Sequence, residues 1–272
     1  MDSFQFSISI CSLIVVSLIV FIVIIRKSEN KTSYLWIFLI GAVGWLIAFF
    51  IRLIPLQLIH MLMLLLLGVD VSNPENIKPY ASHPLLLIWG PIFAGIFEEL
   101  MRYLCISQFK DIKKDKFRGP FVLGLGWTTG EIIYLYGITL INILSTPDLT
   151  WTSEPWVLVA AGPFERLSAS ILHLSLSFFV FYSIYEKRWS KKYGLWLAIL
   201  LHFAFDFIIV IWVLSFASLS FVVYIWTLEI AFFTCGIVLA LITKYYWIPK
   251  QQKTYLIPQN HSSLEEYPNA KE

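Results

Sequence analysis

Seven apolar runs, each close to the length of a bilayer span, leave few alternatives to a helical membrane protein. They cover about residues 3–25, 33–53, 84–109, 119–144, 164–185, 193–213 and 217–243. A membrane helix needs about 20 mostly apolar residues, because its backbone polar groups must pair within the segment. Only 14% of the residues are charged, against about 25% in soluble domains. The sequence therefore predicts an all-α, polytopic helical bundle of about seven transmembrane helices in the cell membrane.

The ends of the chain and one short apolar stretch need separate interpretation. The first run lacks a basic start and a small-residue cleavage site, which favours a retained helix over a signal peptide. Residues 54–68 are too few for a span, and Pro55 predicts a kink there, so this stretch is expected to be interfacial or re-entrant. We expect one transmembrane helical domain over residues 1–248 and a disordered cytoplasmic tail over 249–272.

Positive charge indicates the orientation of the spans. Lysine and arginine cluster after the first, third, fifth and seventh runs, whereas the loops on the other side hold little beyond Lys78. Cytoplasmic loops carry the excess of positive residues in membrane proteins. The sequence therefore predicts an N-terminus outside and a C-terminus in the cytoplasm.

Two adjacent carboxylates stand inside the third apolar run. Glu98 and Glu99 are followed by Arg102, at i+4 and i+3 respectively, so a helix brings the guanidinium within reach of both. Each charge at bilayer depth costs a few kcal/mol even on lenient scales, and such residues are functional candidates. We expect Arg102 to neutralise one carboxylate and to leave the other free for chemistry.

Polar residues from three further runs fall at a similar depth. At 1.5 Å per helical residue, Glu98, Glu131, His173 and His202 lie about 15–20 Å from the predicted cytoplasmic edge. Asp206 follows His202 by one turn and is positioned to fix its tautomer. A shared depth on four helices predicts a shared site, although Glu131, flanked by glycines, is equally consistent with a helix-packing role.

A charged pair precedes His173 on the same predicted helix. Glu165 and Arg166 are adjacent, and Arg166 lies seven residues, or two turns, before His173. Arg166 is positioned to pair with Glu165 or with a carboxylate of a neighbouring helix, such as Glu99 or Asp206. These residues are expected to support the site rather than to react.

These residue types fit amide hydrolysis in two ways. A buried glutamate can act as general base on water while imidazoles stabilise the oxyanion. Alternatively, two histidines and a carboxylate can hold a zinc ion that activates the water. The sequence has no His-Glu-x-x-His motif, but zinc ligands can also come from separate helices. Both alternatives remain open at this point.

The order and spacing of the three motifs resemble those of the YhfC-type intramembrane proteases, relatives of the CAAX prenyl protease superfamily. The motifs are Glu98-Glu99-x-x-Arg102, Glu165-Arg166 with His173, and His202-x-x-x-Asp206. The resemblance implies a catalytic core at about residues 84–243, with Glu98 as general base oriented by Glu99 and Arg102. It also implies that His173 and His202 stabilise the transition state and that Asp206 partners His202.

The resemblance does not settle the cofactor. A metal-free, glutamic-type reaction is favoured, and zinc held by His173, His202 and Glu98 is the alternative. Glu131, Glu165 and Arg166 are expected to support the site. One departure is that the last motif ends in Asp206 where the prenyl proteases have asparagine.

The sequence thus favours an intramembrane peptidase that cleaves a membrane-associated peptide or protein. The first alternative is a proton-coupled transporter, although no inverted repeat is detectable. The second is a non-catalytic membrane scaffold or immunity protein with a protease-like fold. No basic stripe or phosphate-binding loop indicates a nucleic-acid partner.

Overall fold

All regular structure in the described part of the chain is helical. The computed structural model describes residues 22–23, 26, 31–145, 155–185, 193–215 and 220–247. The α-helices are α1 (Lys31–Leu66), α2 (Pro74–Ile77), α3 (Pro84–Leu87), α4 (Trp89–Gln108), α5 (Arg118–Ser145), α6 (Pro155–Tyr185), α7 (Gly194–Ser215) and α8 (Phe221–Ile242). Short 3-10 turns lie at Lys78–Tyr80 and Lys110–Lys113, and a π-helical turn at Thr243–Trp247 follows α8.

Six of the described segments are long and apolar enough to cross a membrane, so the protein is a multi-pass membrane protein. They are Lys31–Leu66, Pro84–Gln108, Arg118–Ile138, Ala161–Tyr185, Gly194–Trp212 and Val222–Tyr246. The predicted all-α bundle is confirmed, and each segment coincides with one predicted run. Nearly all of the run at 3–25 and all of the tail at 249–272 lie outside the described residues. The count of seven and the orientation therefore stay predictions.

The prediction of a separate interfacial or re-entrant segment at residues 54–68 is wrong. Helix α1 continues through Pro55 to Leu66, and the chain leaves it at Gly68 with φ of 73°. Proline removes one backbone hydrogen bond, but neighbouring groups in membrane proteins compensate for that loss. At about 54 Å, α1 is much longer than a hydrocarbon core of about 30 Å, so it must tilt or extend past the core.

Glycines bring α1 and α5 into direct backbone contact. A Cβ on Gly126 of α5 would overlap the carbonyl oxygen of Phe38, and one on Gly130 would lie 2.5 Å from that of Ala42. A Cβ on Gly41 of α1 would likewise overlap the carbonyl oxygen of Leu123. Small residues allow this close approach of helix backbones in membrane proteins. This crossing fixes α1, and with it Arg52, against α5.

Enlarging Gly126 tests this crossing. Gly126→Leu is expected to lower the free energy of unfolding by about 1–3 kcal/mol or more, because the backbones of α1 and α5 must separate. Thermal unfolding in detergent, followed by helical circular dichroism, measures the effect. Gly137→Leu on the same helix is the matched control, since a Cβ at Gly137 meets nothing within 4 Å. Equal stability of the two variants would contradict the assigned contact.

Helix α4 lies at the centre of the arrangement that builds the site. It packs against α1 on one side, α7 on another and α6 behind, while α5 contacts both α1 and α6. Glu98, Glu99 and Arg102 are among the buried residues of α4. These three charged side chains therefore face protein rather than lipid.

Candidate functional site

The two adjacent carboxylates of α4 have different partners. Glu98 is bound by Arg52 of α1, with 2.5 Å between Nη1 and Oε1, and its Oε2 accepts from the indole N–H of Trp127 at 3.2 Å. Glu99 lies 3.4 Å from Nη2 of Arg102. Arg102 therefore neutralises Glu99 as expected. The expectation that Glu98 stays free is wrong, because a guanidinium reaches it from another helix.

His202 of α7 faces both carboxylates. Its Nδ1 lies 2.8 Å from Oε1 of Glu99, and its Nε2 lies 3.8 Å from Oε2 of Glu98 and from Oδ2 of Asp206. The prediction that Asp206 fixes the His202 tautomer is therefore wrong, because the carboxylate within hydrogen-bond distance is Glu99. The Nε2 atom is left facing the space between Glu98 and Asp206.

His173 of α6 is held between a cation and an anion. Nη2 of Arg102 donates to its Nδ1 at 3.1 Å, and its Nε2 lies 2.9 Å from Oε2 of Glu131. Because arginine only donates, Nδ1 is the acceptor and Nε2 carries the proton that Glu131 accepts. Arg102 also donates to the backbone carbonyl of His173 at 2.9 Å.

Glu131 connects His173 to the supporting charged pair. Its Oε1 accepts from Nη1 of Arg166 at 2.8 Å, and Arg166 also binds Glu165 through two nitrogen atoms. The predicted pairing with Glu165 is found. The neighbouring carboxylate is Glu131 of α5 rather than Glu99 or Asp206.

The structure thus joins every residue singled out from the sequence into one network. The two imidazole rings are 5.3 Å apart between centroids. One donor atom each from Glu98, His173 and His202 lies within 4.8 Å of the others, and all three residues are buried. Three helices therefore direct a carboxylate and two imidazoles at one small volume.

Sequence reasoning missed two members of this network, Arg52 and Trp127. Arg52 is the single charged residue between Lys31 and Asp70, and this isolation in an apolar stretch is the sequence signal that points to it. Trp127 is fully buried and its ring also lies under Arg102, with 4.5 Å from Cζ to the centroid. The sequence alone does not distinguish a tryptophan that donates a hydrogen bond to a site residue from one that only packs in the core.

A cleft gives the network access to the surroundings. Its volume is about 350 Å³, and Arg52 and Asp206 line it together with apolar residues of α1, α4 and α7. The Asp206 side chain is 32% exposed, whereas those of Glu98 and His202 are 4% exposed. Of the carboxylates around His202, Asp206 is therefore the one that reaches the cleft.

A comparison with known families bears on this network. A family model described as YhfC intramembrane metalloprotease matches residues 13–154, slightly more than half of the chain. The chain belongs to the YhfC family. This membership supports intramembrane proteolysis as its activity. No curated protein and no solved structure matches the chain.

The YhfC match covers the N-terminal half of the bundle rather than the region from the third span to the seventh. Arg52, Glu98 and Glu131 lie inside the matched region, whereas His173 and His202 lie beyond it. The two histidines are therefore connected to the YhfC motif by geometry, through their contacts with Arg102, Glu99 and Glu131.

The donor set fits the metal that the family description implies. Three protein ligands of nitrogen and oxygen type are the set found in catalytic zinc sites. Each histidine also has a carboxylate on its other ring nitrogen, Glu131 for His173 and Glu99 for His202, which is the usual support of a metal-binding imidazole. A metal on Nδ1 of His173 would replace the hydrogen bond from Arg102.

The charge of the network also suits a divalent cation. Its charged members are five carboxylates and three guanidiniums, so two negative charges remain when both imidazoles are neutral. They are Glu98, Glu99, Glu131, Glu165, Asp206, Arg52, Arg102 and Arg166. Uncompensated charge at bilayer depth is expensive. A zinc ion would balance this excess.

Proposed function

We propose that the protein hydrolyses a peptide bond of a membrane-associated substrate, and that Glu98, His173 and His202 form a zinc-binding site for this reaction. The observation that carries the proposal is the convergence of these three donors within 4.8 Å beside a cleft. The YhfC description supports the same class of reaction.

The proposal departs from the metal-free reaction that the sequence favoured, with Glu98 as the general base. Both oxygens of Glu98 already accept hydrogen bonds, from Arg52 and from Trp127. Together with the carboxylate behind each imidazole and the excess negative charge, this favours Glu98 as a ligand. Zinc held by Glu98, His173 and His202 would supply a Lewis acid for the scissile carbonyl and for an attacking water molecule.

Asp206 is assigned the proton transfers. Its carboxylate lies 3.8 Å from Nε2 of His202 and is the one that reaches the cleft. Asp206 accepts the proton that water releases as its oxygen attacks the carbonyl carbon. It returns that proton to the leaving nitrogen as the C–N bond breaks.

Arg102 and Glu99 are assigned a positioning role. Arg102 binds the backbone carbonyl of His173, whose Nε2 is bound by Glu131, and Glu99 binds Nδ1 of His202. These contacts fix the orientation of both imidazole rings. Arg52 on the cleft wall holds Glu98.

Comparison of the protein with its Glu98→Gln variant tests the proposed activity. Both purified proteins are incubated with membranes isolated from the source cells, and mass spectrometry identifies new peptide termini. We expect new termini with the unaltered protein and with Glu229→Gln, a control at another buried carboxylate, and none with Glu98→Gln. Identical termini from Glu98→Gln and the unaltered protein would overturn the proposal.

Loss of the Glu99 carboxylate is expected to weaken zinc binding without abolishing it. Glu99→Gln removes the anion behind Nδ1 of His202, and such changes typically lower metal affinity by about 10–100-fold. Competition with a chromogenic chelator measures this affinity, and Glu229→Gln again provides the control. An unchanged affinity in Glu99→Gln would show that His202 needs no carboxylate behind it.

A further inference from the structure

Two cavities meet at Gly90, in the first turn of α4. One is the cleft of about 350 Å³ that contains Arg52 and Asp206, and we call the other the entry cavity. The entry cavity has a volume of about 520 Å³ and lies between α1 and the segment that leads from α1 to α4. Gly90 lines both. The two cavities therefore adjoin, and the cleft is the one nearer the proposed zinc ligands.

One face of α1 runs along both cavities. Phe49, Leu53 and Leu56 line the cleft, and His60 and Leu64 line the entry cavity. Their spacing of three or four residues is that of one helix face. From Phe49 to Leu64 this face is about 22 Å long, which corresponds to about seven residues of extended chain at about 3.3 Å each.

The chemistry of the walls fits an extended, apolar peptide segment. The aliphatic and aromatic side chains of both cavities suit apolar substrate side chains. An unwound segment at membrane depth also needs partners for its backbone N–H and C=O groups. Arg52 offers donors and Asp206 an acceptor at the inner end, and Gln57 offers both in the entry cavity.

We infer that the entry cavity and the cleft form one path for an extended, apolar segment of the substrate, and that Gly90 limits the side-chain size that can pass. This inference rests on the proposed function and identifies the substrate class. A Cβ placed on Gly90 meets nothing within 4 Å. The first atom of a larger side chain at this position therefore enters the path without displacing any residue of the fold.

A size series at Gly90 tests the inference. Gly90→Ala and Gly90→Leu are compared with the unaltered protein. Gly137→Leu is the control because a Cβ at Gly137 also meets nothing within 4 Å. The measured quantity is the rate at which new termini form in isolated membranes, together with the residues flanking each cleavage. We expect Gly90→Leu to slow cleavage by at least about 10-fold, with the remaining cleavages shifted to glycine- and alanine-rich segments. Gly90→Ala should be intermediate, and Gly137→Leu unchanged.

The outcomes separate the inference from the proposed function. If Gly90→Leu cleaves the same sites at an undiminished rate while Glu98→Gln is inactive, the path is wrong and the peptidase assignment stands. A lipid chain as the true occupant of the cavities would give that result. If the unaltered protein produces no termini beyond those of Glu98→Gln, the proposed function fails and the inference fails with it.

Discussion

Replacement of His202 by glutamine is expected to remove bound zinc and to slow peptide cleavage by at least about 10³-fold. His202 binds Glu99 through Nδ1 and directs Nε2 between Glu98 and Asp206. The glutamine amide can still donate to Glu99, so the buried carboxylate keeps a partner, but the imidazole ligand is lost. Zinc content by elemental analysis is expected to fall from about one ion per chain to a small fraction of that value.

The control for this prediction is His83→Gln. His83 lies outside the network and accepts from the backbone N–H of Leu85 at the start of α3. It should keep full zinc content and activity. Helical circular dichroism tests whether both variants fold. If His202→Gln does not fold, His173→Ala provides a second test of the same site. A folded His202→Gln protein with undiminished zinc content and cleavage rate would show that His202 is not part of the zinc site.

Replacement of Asp206 by asparagine is expected to separate metal binding from proton transfer. Asparagine keeps the size of the side chain but cannot accept the proton of the attacking water, and loss of a general base typically costs about 10²–10⁴-fold in rate. Because Asp206 is not among the three converging donors, the zinc content should stay at that of the unaltered protein. The variant should therefore be metal-loaded and nearly inactive.

The dependence on pH provides the second measurement for Asp206→Asn. If Asp206 is the proton acceptor, its removal eliminates the acidic limb of the rate profile, whereas a purely structural role lowers the rate equally at every pH. Glu229→Gln is the control, since Glu229 is a carboxylate of α8 that lies outside the network. Full activity of Asp206→Asn at neutral pH would show that a group other than Asp206 transfers the protons.

The fold class and the depth of the polar residues follow from the sequence because both are one-dimensional properties. Apolar runs of membrane length predict the spans, and counting residues from a charged edge predicts how deep Glu98, Glu131, His173 and His202 lie. These estimates need no knowledge of neighbours. The structure accordingly brings these residues into one network.

The pairing of the charges depends on helix rotation and on neighbours, which the sequence does not specify. Arg52 reaches Glu98 only because the glycine crossing fixes α1 beside α5, and Glu99 rather than Asp206 binds Nδ1 of His202. The continuation of α1 through Pro55 was missed for a related reason, since the sequence does not reveal which neighbouring groups compensate for the lost hydrogen bond. The cleft at Gly90 is likewise a product of tertiary packing.

Zinc content and peptide cleavage, measured on the same preparation of unaltered protein, test the central claim most directly. The protein is stripped with a chelator, assayed on isolated membranes, and titrated back with zinc. The account predicts about one zinc per chain, loss of new termini on stripping, and recovery in proportion to the zinc restored. Undiminished cleavage by zinc-free protein would contradict the account and return the reaction to a metal-free mechanism.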